Sequence, residues 1–145
     1  MRRFRLVLLA ILVAPETAHA TEPDYDVPKV VRCCSREREI AIDVAVRNYG
    51  KTAIDAPAFA EAVALDVTDD AGTRVRCDPP RAPNRPPRTL QPTDGVVERI
   101  VLTPRCDVPM PTTTAERHYR IRLRHAAAPS LDHMVDVYVR LLPHS

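Results

Sequence analysis

The sequence predicts an all-β protein, an immunoglobulin-like antiparallel β-sandwich of about seven strands linked by disulfides. Three observations predict this fold. Apolar and polar residues alternate in several short segments, as they do in half-buried strands. Turn-forming residues separate these segments, and no long helical pattern interrupts them. The chain has 145 residues and 4 Cys, which suits one domain with an even number of cysteines.

The N-terminal segment has the pattern of an export signal. Met1–Arg5 is positively charged, residues 6–14 are apolar, and residues 18–20 (Ala-His-Ala) supply the small side chains that a signal peptidase accepts. We therefore expect residues 1–20 to be a signal peptide and residues 21–145 to be a single β-sandwich domain that is periplasmic or secreted. The apolar run is too short to cross a bilayer, so we expect no stable membrane insertion.

Charge and motifs argue against several classes of function. The whole chain has a formal charge of +2, but this excess lies in the first 20 residues, and the remainder is formally neutral. Neutrality gives no reason to expect nucleic acid as a partner. Neither G-x-G-x-x-G nor G-x-S-x-G occurs, and all 3 Gly stand in turn contexts. We expect no enzymatic activity and no cofactor.

The four cysteines are expected to form two disulfides in an oxidising compartment. A bond between neighbouring cysteines strains the peptide between them, so Cys33 and Cys34 should have different partners. Two connectivities satisfy this condition: Cys33–Cys77 with Cys34–Cys106, or Cys33–Cys106 with Cys34–Cys77. The sequence does not choose between them.

Each predicted strand depends on alternation, and each turn on residues that tolerate tight reversals. Residues 39–47 alternate isoleucine or valine with charged and small residues. The turns at 48–51 and 69–72 supply the Asn, Asp and Gly that reversals need. In the strand at 96–103, Ile100 shares a face with Glu98, and which face is buried stays open. The predicted strands are 27–32, 39–47, 63–68, 73–77, 96–103, 117–125 and 134–142.

Residues 78–92, the proline-rich segment, hold six prolines in 15 residues. Proline lacks an N–H group and fixes φ, so this segment is predicted to be a stiff exposed loop. Arg85 and Arg88 are one polyproline turn apart and should point the same way. With Arg81, they form a candidate partner-binding element. The alternative is a rigid connector between sheets.

A second set of arginines, Arg120, Arg122 and Arg124, lies on one face of the strand at 117–125. These side chains could bind an acidic partner. The neutrality of residues 21–145 favours the alternative, in which Asp66 and Asp136 on flanking strands pair with them.

Two histidines and a methionine form the weakest candidate site. His125 ends one predicted strand, and His133 and Met134 open the next, so a copper or zinc site is conceivable. No recognised metal-ligand spacing is present, and ordinary surface histidines are the favoured interpretation.

The segments Val44-Ala-Val-Arg-Asn-Tyr-Gly50, Thr89-Leu-Gln-Pro-Thr-Asp-Gly95 and Val96-Val-Glu-Arg-Ile-Val-Leu102 resemble bacterial extracytoplasmic immunoglobulin-like or fibronectin-like domains. Such domains show V-x-V-x-N-x-G at the end of an early strand and L-x-P-G-acid before a middle one. Here Thr-Asp-Gly replaces the Gly-acid pair. The resemblance implies a binding or scaffold role and transfers no functional residue.

The sequence therefore predicts an exported, non-enzymatic binding or accessory module that contacts a protein or cell-envelope partner. One alternative is a proteinase inhibitor on the same scaffold, which would insert the proline-rich segment or the turn at 48–51. A metal-binding periplasmic protein is the third hypothesis.

Overall fold

The computed structural model describes residues 22–34 and 39–142, and these residues form an all-β protein. They contain no helix and ten strands, more than the seven predicted. The predicted signal peptide at 1–20 lies outside the described residues. The strands are β1 (Asp24–Asp26), β2 (Val30–Cys33), β3 (Ala41–Arg47), β4 (Ile54–Ala56), β5 (Ala64–Thr68), β6 (Arg74–Val75), β7 (Arg88–Leu90), β8 (Gly95–Val101), β9 (Arg117–Arg124) and β10 (Asp132–Val139).

The strands form three sheets that are mainly antiparallel. One sheet has the order β1-β3-β8, a second has the order β2-β10-β9-β5-β6, and β4 pairs with β7 in a two-stranded sheet. Only the pairing of β2 with β10 is parallel among the described strands. The predicted first strand at 27–32 is replaced by β1 and β2, which join different sheets.

One hydrophobic core joins the sheets. It includes inward-facing residues of β3, β5, β8, β9 and β10, and two fully buried residues from connecting segments, Phe59 and Leu131. The alternation predicted for β3 and β9 is confirmed, because their apolar residues are buried and the intervening charged residues are not. The buried residues of these two strands are Ile42, Val44, Val46, Tyr119, Ile121 and Leu123.

The proline-rich segment is not a loop throughout, which corrects the prediction for residues 78–92. Arg88–Leu90 form β7, antiparallel to β4, a strand that was not predicted. These three residues lie between prolines and keep their N–H groups, so they can join a sheet. Leu90 is buried opposite Ile54. A three-residue strand contains too few residues for alternation to reveal it.

The cysteine pairing also differs from both predicted connectivities. Cys77 lies at disulfide distance from Cys106, and Cys33 is paired with its neighbour Cys34. Cys33 ends β2 and Cys77 follows β6, and these strands are the opposite edges of the five-stranded sheet. At a spacing of about 4.8 Å per strand, the edges are about 19 Å apart, beyond the reach of a disulfide. Cys106 instead lies opposite Cys77 in an isolated antiparallel bridge.

The turn after β3 is organised by Asn48, which is 2% exposed. Its Nδ2 donates hydrogen bonds to the carbonyl oxygens of Thr52 and Leu90, both at 2.9 Å. Its Oδ1 accepts a hydrogen bond from the Gly50 N–H at 2.9 Å. A Cβ atom at Gly50 would lie 3.1 Å from that same Oδ1, so the position favours glycine. These contacts give the Asn-x-Gly pattern a physical basis, and they link the turn to β7.

Candidate functional site

The candidate site lies beside β8, where the proline-rich segment covers part of the core. Arg85, Pro86, Pro87 and Arg88 form one side of a cavity of about 230 Å³. We call it the Glu98 cavity, because Glu98 of β8 also lines it. The other lining residues come from β3, from β4 and the residues that follow it, and from β8: Val46, Ala56, Pro57, Ala58 and Val96.

Glu98 is a buried carboxylate, 7% exposed, on the inward face of β8. Arg85 Nη2 donates a hydrogen bond to Glu98 Oε2 at 3.0 Å and lies 3.6 Å from Glu61 Oε2. The hydrogen bond to Glu98, and then its negative charge, raise the pKa of Arg85 above its ordinary value. A buried charge needs such a partner, because it has lost its contact with water.

The structure shows which face of β8 is buried, the point that the sequence left open. The face that carries Glu98 and Ile100 is buried, and Val97 on the other face is exposed. A carboxylate tolerates that buried face because Arg85 reaches it from a segment 13 residues earlier in the chain. The alternation in β8 carried no information about this partner.

The three arginines of the proline-rich segment that were predicted to bind a partner therefore have different environments. Arg85 is engaged by Glu98, whereas Arg81 and Arg88 form no ion pair with any residue that the structure describes. Arg85 and Arg88 both line the Glu98 cavity. Arg81 lines a separate cleft of about 380 Å³ with Arg99 and Arg105.

The arginines of β9 are in contact with aspartates on the neighbouring strands. Arg122 donates two hydrogen bonds of 2.9 Å to Asp132 of β10. The hydrogen bond from Arg122 is the main cause that holds the pKa of Asp132 below its usual range. Arg120 contacts Asp136 at 3.4 Å, and Arg124 pairs with Asp66 of β5. The cross-strand pairing with Asp66 and Asp136 that the sequence favoured is present.

Asp136 also lies 2.8 Å from the Nε2 atom of His118. The hydrogen bond with His118 is the largest cause of the lowered pKa of Asp136, and Arg120 adds to it. The outer face of this sheet therefore has several charges that are neutralised by neighbours.

The structure places two of the three proposed metal-binding residues, His133 and Met134, on opposite faces of β10. Met134 is 52% exposed on the outer face of β10, whereas His133 is on the opposite face, because adjacent strand residues alternate. His125 packs edge-on against Phe59 with ring centroids 6.3 Å apart, and its Nδ1 is buried without a hydrogen-bond partner. Within residues 22–34 and 39–142, no three or more His, Cys, Asp or Glu side chains are grouped to hold a metal ion.

His125 should make stability depend on pH. Burial lowers its pKa below the ordinary value of 6.5, so below that pH the unfolded chain binds more protons than the folded protein. The free energy of unfolding should therefore fall as the pH decreases from about 7.5 to 5.5. Urea unfolding at the two pH values should show a smaller decrease for His125→Phe. Equal decreases in the free energy of unfolding for the wild type and His125→Phe would refute the assignment.

Sequence reasoning missed Glu98 as a site residue, and the only available signal was a charged residue on an otherwise apolar strand face. No protein-family model matches the chain, and the search of curated proteins finds no similar sequence. In the described part of the chain, no helix has the length and apolar character needed to cross a membrane.

Proposed function

We propose that this chain is an exported, non-enzymatic binding or accessory module with an immunoglobulin-like β-sandwich fold. The strand order supports the fold. Immunoglobulin sheets have the orders A-B-E-D and G-F-C, extended by C′ in variable-type domains. The order β1-β3-β8 corresponds to A-B-E, and β10-β9-β5-β6 corresponds to G-F-C-C′. The segment at 1–20, with the features of a signal peptide, supports export to the periplasm or beyond.

The proposed partner is a protein or a cell-envelope component that presents carboxylates or other anionic groups. One observation carries this proposal, namely the difference between the two sets of arginines. Those of β9 have aspartate partners, while Arg81 and Arg88 have no ion pair among the described residues. Residues 79–89 are exposed, and their prolines restrict the backbone before any partner arrives. A preorganised segment loses little conformational entropy on binding.

A capture experiment with cell-envelope extract tests the proposal. The double variant Arg81→Gln/Arg88→Gln should bind the captured partner on the order of a hundredfold more weakly than the wild-type protein, since each of the two charge-assisted hydrogen bonds contributes about 1.5 kcal/mol or more. The variant should fold normally, because both side chains are exposed.

The matched control is Arg120→Gln/Arg122→Gln, which removes two arginines that already have aspartate partners. It should capture the partner as well as the wild type does. Full retention by the Arg81/Arg88 variant, equal loss in both double variants, or no captured partner at all would each contradict the proposed binding surface.

A further inference from the structure

The Glu98 cavity contains a hydrogen-bond acceptor without a protein donor. Arg85 occupies Oε2 of Glu98, and no residue in the described part of the chain donates a hydrogen bond to Oε1. Oε1 is not sealed from solvent. Because the Glu98 side chain is more than nine-tenths buried and lines the cavity, this oxygen is positioned to accept a donor from an occupant. Without an occupant, water can donate to this oxygen, and a donor on an occupant can replace that water.

The charge of the cavity lining limits what the occupant can be. Three of the lining residues are charged, Arg85, Arg88 and Glu98, which leaves a formal excess of one positive charge. A cationic occupant would meet two arginines, so a group with a single negative charge is favoured. Arg88 is the lining arginine without a described ion pair, and its planar guanidinium matches the two oxygens of a carboxylate.

The remaining lining residues provide the apolar contribution. All seven are apolar: Val46, Ala56, Pro57, Ala58, Pro86, Pro87 and Val96. The volume of about 230 Å³ corresponds to roughly eight water-sized groups at about 30 Å³ each. That is close to the number of non-hydrogen atoms in one leucine residue. An aliphatic side chain would bury its surface against these walls.

We propose that the Glu98 cavity binds the C-terminal residue of a polypeptide. The terminal carboxylate pairs with Arg88, the backbone N–H of the last residue donates to Glu98 Oε1, and an aliphatic side chain contacts the valines and prolines. This assignment rests on the proposed function, in which the partner can be a protein, and it names the part of that protein that the cavity accepts. The occupant supplies one negative charge, one donor and one apolar group, which are the three features that the lining complements.

Small probes test the three features one at a time. N-acetyl-L-leucine carries all of them and should bind the purified protein with a dissociation constant on the order of 1 mM, as expected for so few atoms. N-acetyl-L-leucinamide lacks the negative charge, and N-acetyl-N-methyl-L-leucine lacks the N–H group. N-acetylglycine lacks the aliphatic side chain. Each of these three should bind about tenfold more weakly or worse in a titration followed by amide chemical shifts.

Two variants test whether N-acetyl-L-leucine binds in the Glu98 cavity. Arg88→Gln should weaken N-acetyl-L-leucine binding about tenfold and leave the unfolding midpoint unchanged, because the side chain is exposed. The matched control Arg140→Gln changes an exposed arginine that does not line the cavity, and it should bind the probe normally. Equal binding of the acid and its amide, or normal binding by the Arg88 variant, would overturn the assignment.

The two proposals fail in different ways. If N-acetyl-L-leucine does not bind, but a captured partner still depends on Arg81 and Arg88, the assignment of the cavity to a C-terminal residue is wrong and the binding surface remains. If the probe binds through Arg88, but no envelope partner is captured, the cavity assignment holds and the proposed function does not.

Discussion

Replacing Phe59 by alanine should lower the free energy of unfolding by about 3–5 kcal/mol. Phe59 is fully buried in the segment between β4 and β5, and it is among the largest of the fully buried side chains described. Its ring packs edge-on against Tyr25, with centroids 5.5 Å apart, and against His125. Alanine would remove these contacts and leave a cavity that the neighbouring strands cannot fill. Urea unfolding followed by circular dichroism measures the loss.

Tyr49→Ala is the matched control, because it also removes an aromatic ring, but from a side chain that is 70% exposed. Its effect should stay within about 0.5 kcal/mol. Phe59→Leu should lose clearly less than Phe59→Ala, since leucine fills part of the space. A loss below about 1 kcal/mol for Phe59→Ala would mean that this ring is not part of the core.

Replacing Asn48 by aspartate should lower the free energy of unfolding by about 3 kcal/mol near neutral pH. Aspartate has almost the same shape, but its ionised carboxylate cannot donate the two hydrogen bonds that Nδ2 gives to Thr52 and Leu90. A negative charge would instead lie buried beside two carbonyl oxygens. Acid should restore part of the lost stability, because a protonated carboxyl group can donate one of the two bonds.

Asn84→Asp is the control for the same chemical change at an exposed position. It should leave the unfolding midpoint unchanged. If Asn48→Asp behaved like Asn84→Asp, the buried hydrogen bonds of Asn48 would not contribute to stability. Asn48 also connects the end of β3 to β7 through Leu90, so its loss should weaken probe binding at Arg88, which begins β7.

The parts of the fold that the sequence predicts are those with repeated local signals. In β9, arginines alternate with apolar residues over most of the strand, so its buried face follows from this alternation. The turn at 69–72 is similar, because Asp69 accepts hydrogen bonds from the N–H groups of Ala71 and Thr73, and Gly72 takes a positive φ of 77°. Each of these contacts spans only a few residues.

Short strands and contacts between residues far apart in the chain are not predicted by such local patterns. Arg88–Leu90 and Ile54–Ala56 are three-residue strands, and neither has a pattern of its own. Phe59 lies in an alanine-rich segment, where no alternation of apolar and polar residues marks a buried position. The cysteine pairing depends on which strands form the edges of a sheet, and a spacing along the chain does not contain that information.

The amino-acid sequence by itself determined that this is an all-β chain, where its long strands run and which turns connect them, because those features depend on contacts between near neighbours. Only the tertiary structure decided that Glu98 faces inward, that Arg85 neutralises it and that Arg88, which has no ion pair among the described residues, lines the same largely apolar cavity. The physical reason is that the stability of a buried charge depends on a partner brought close by folding. The identity of that partner is a property of the packed sheets and not of the strand that carries the charge.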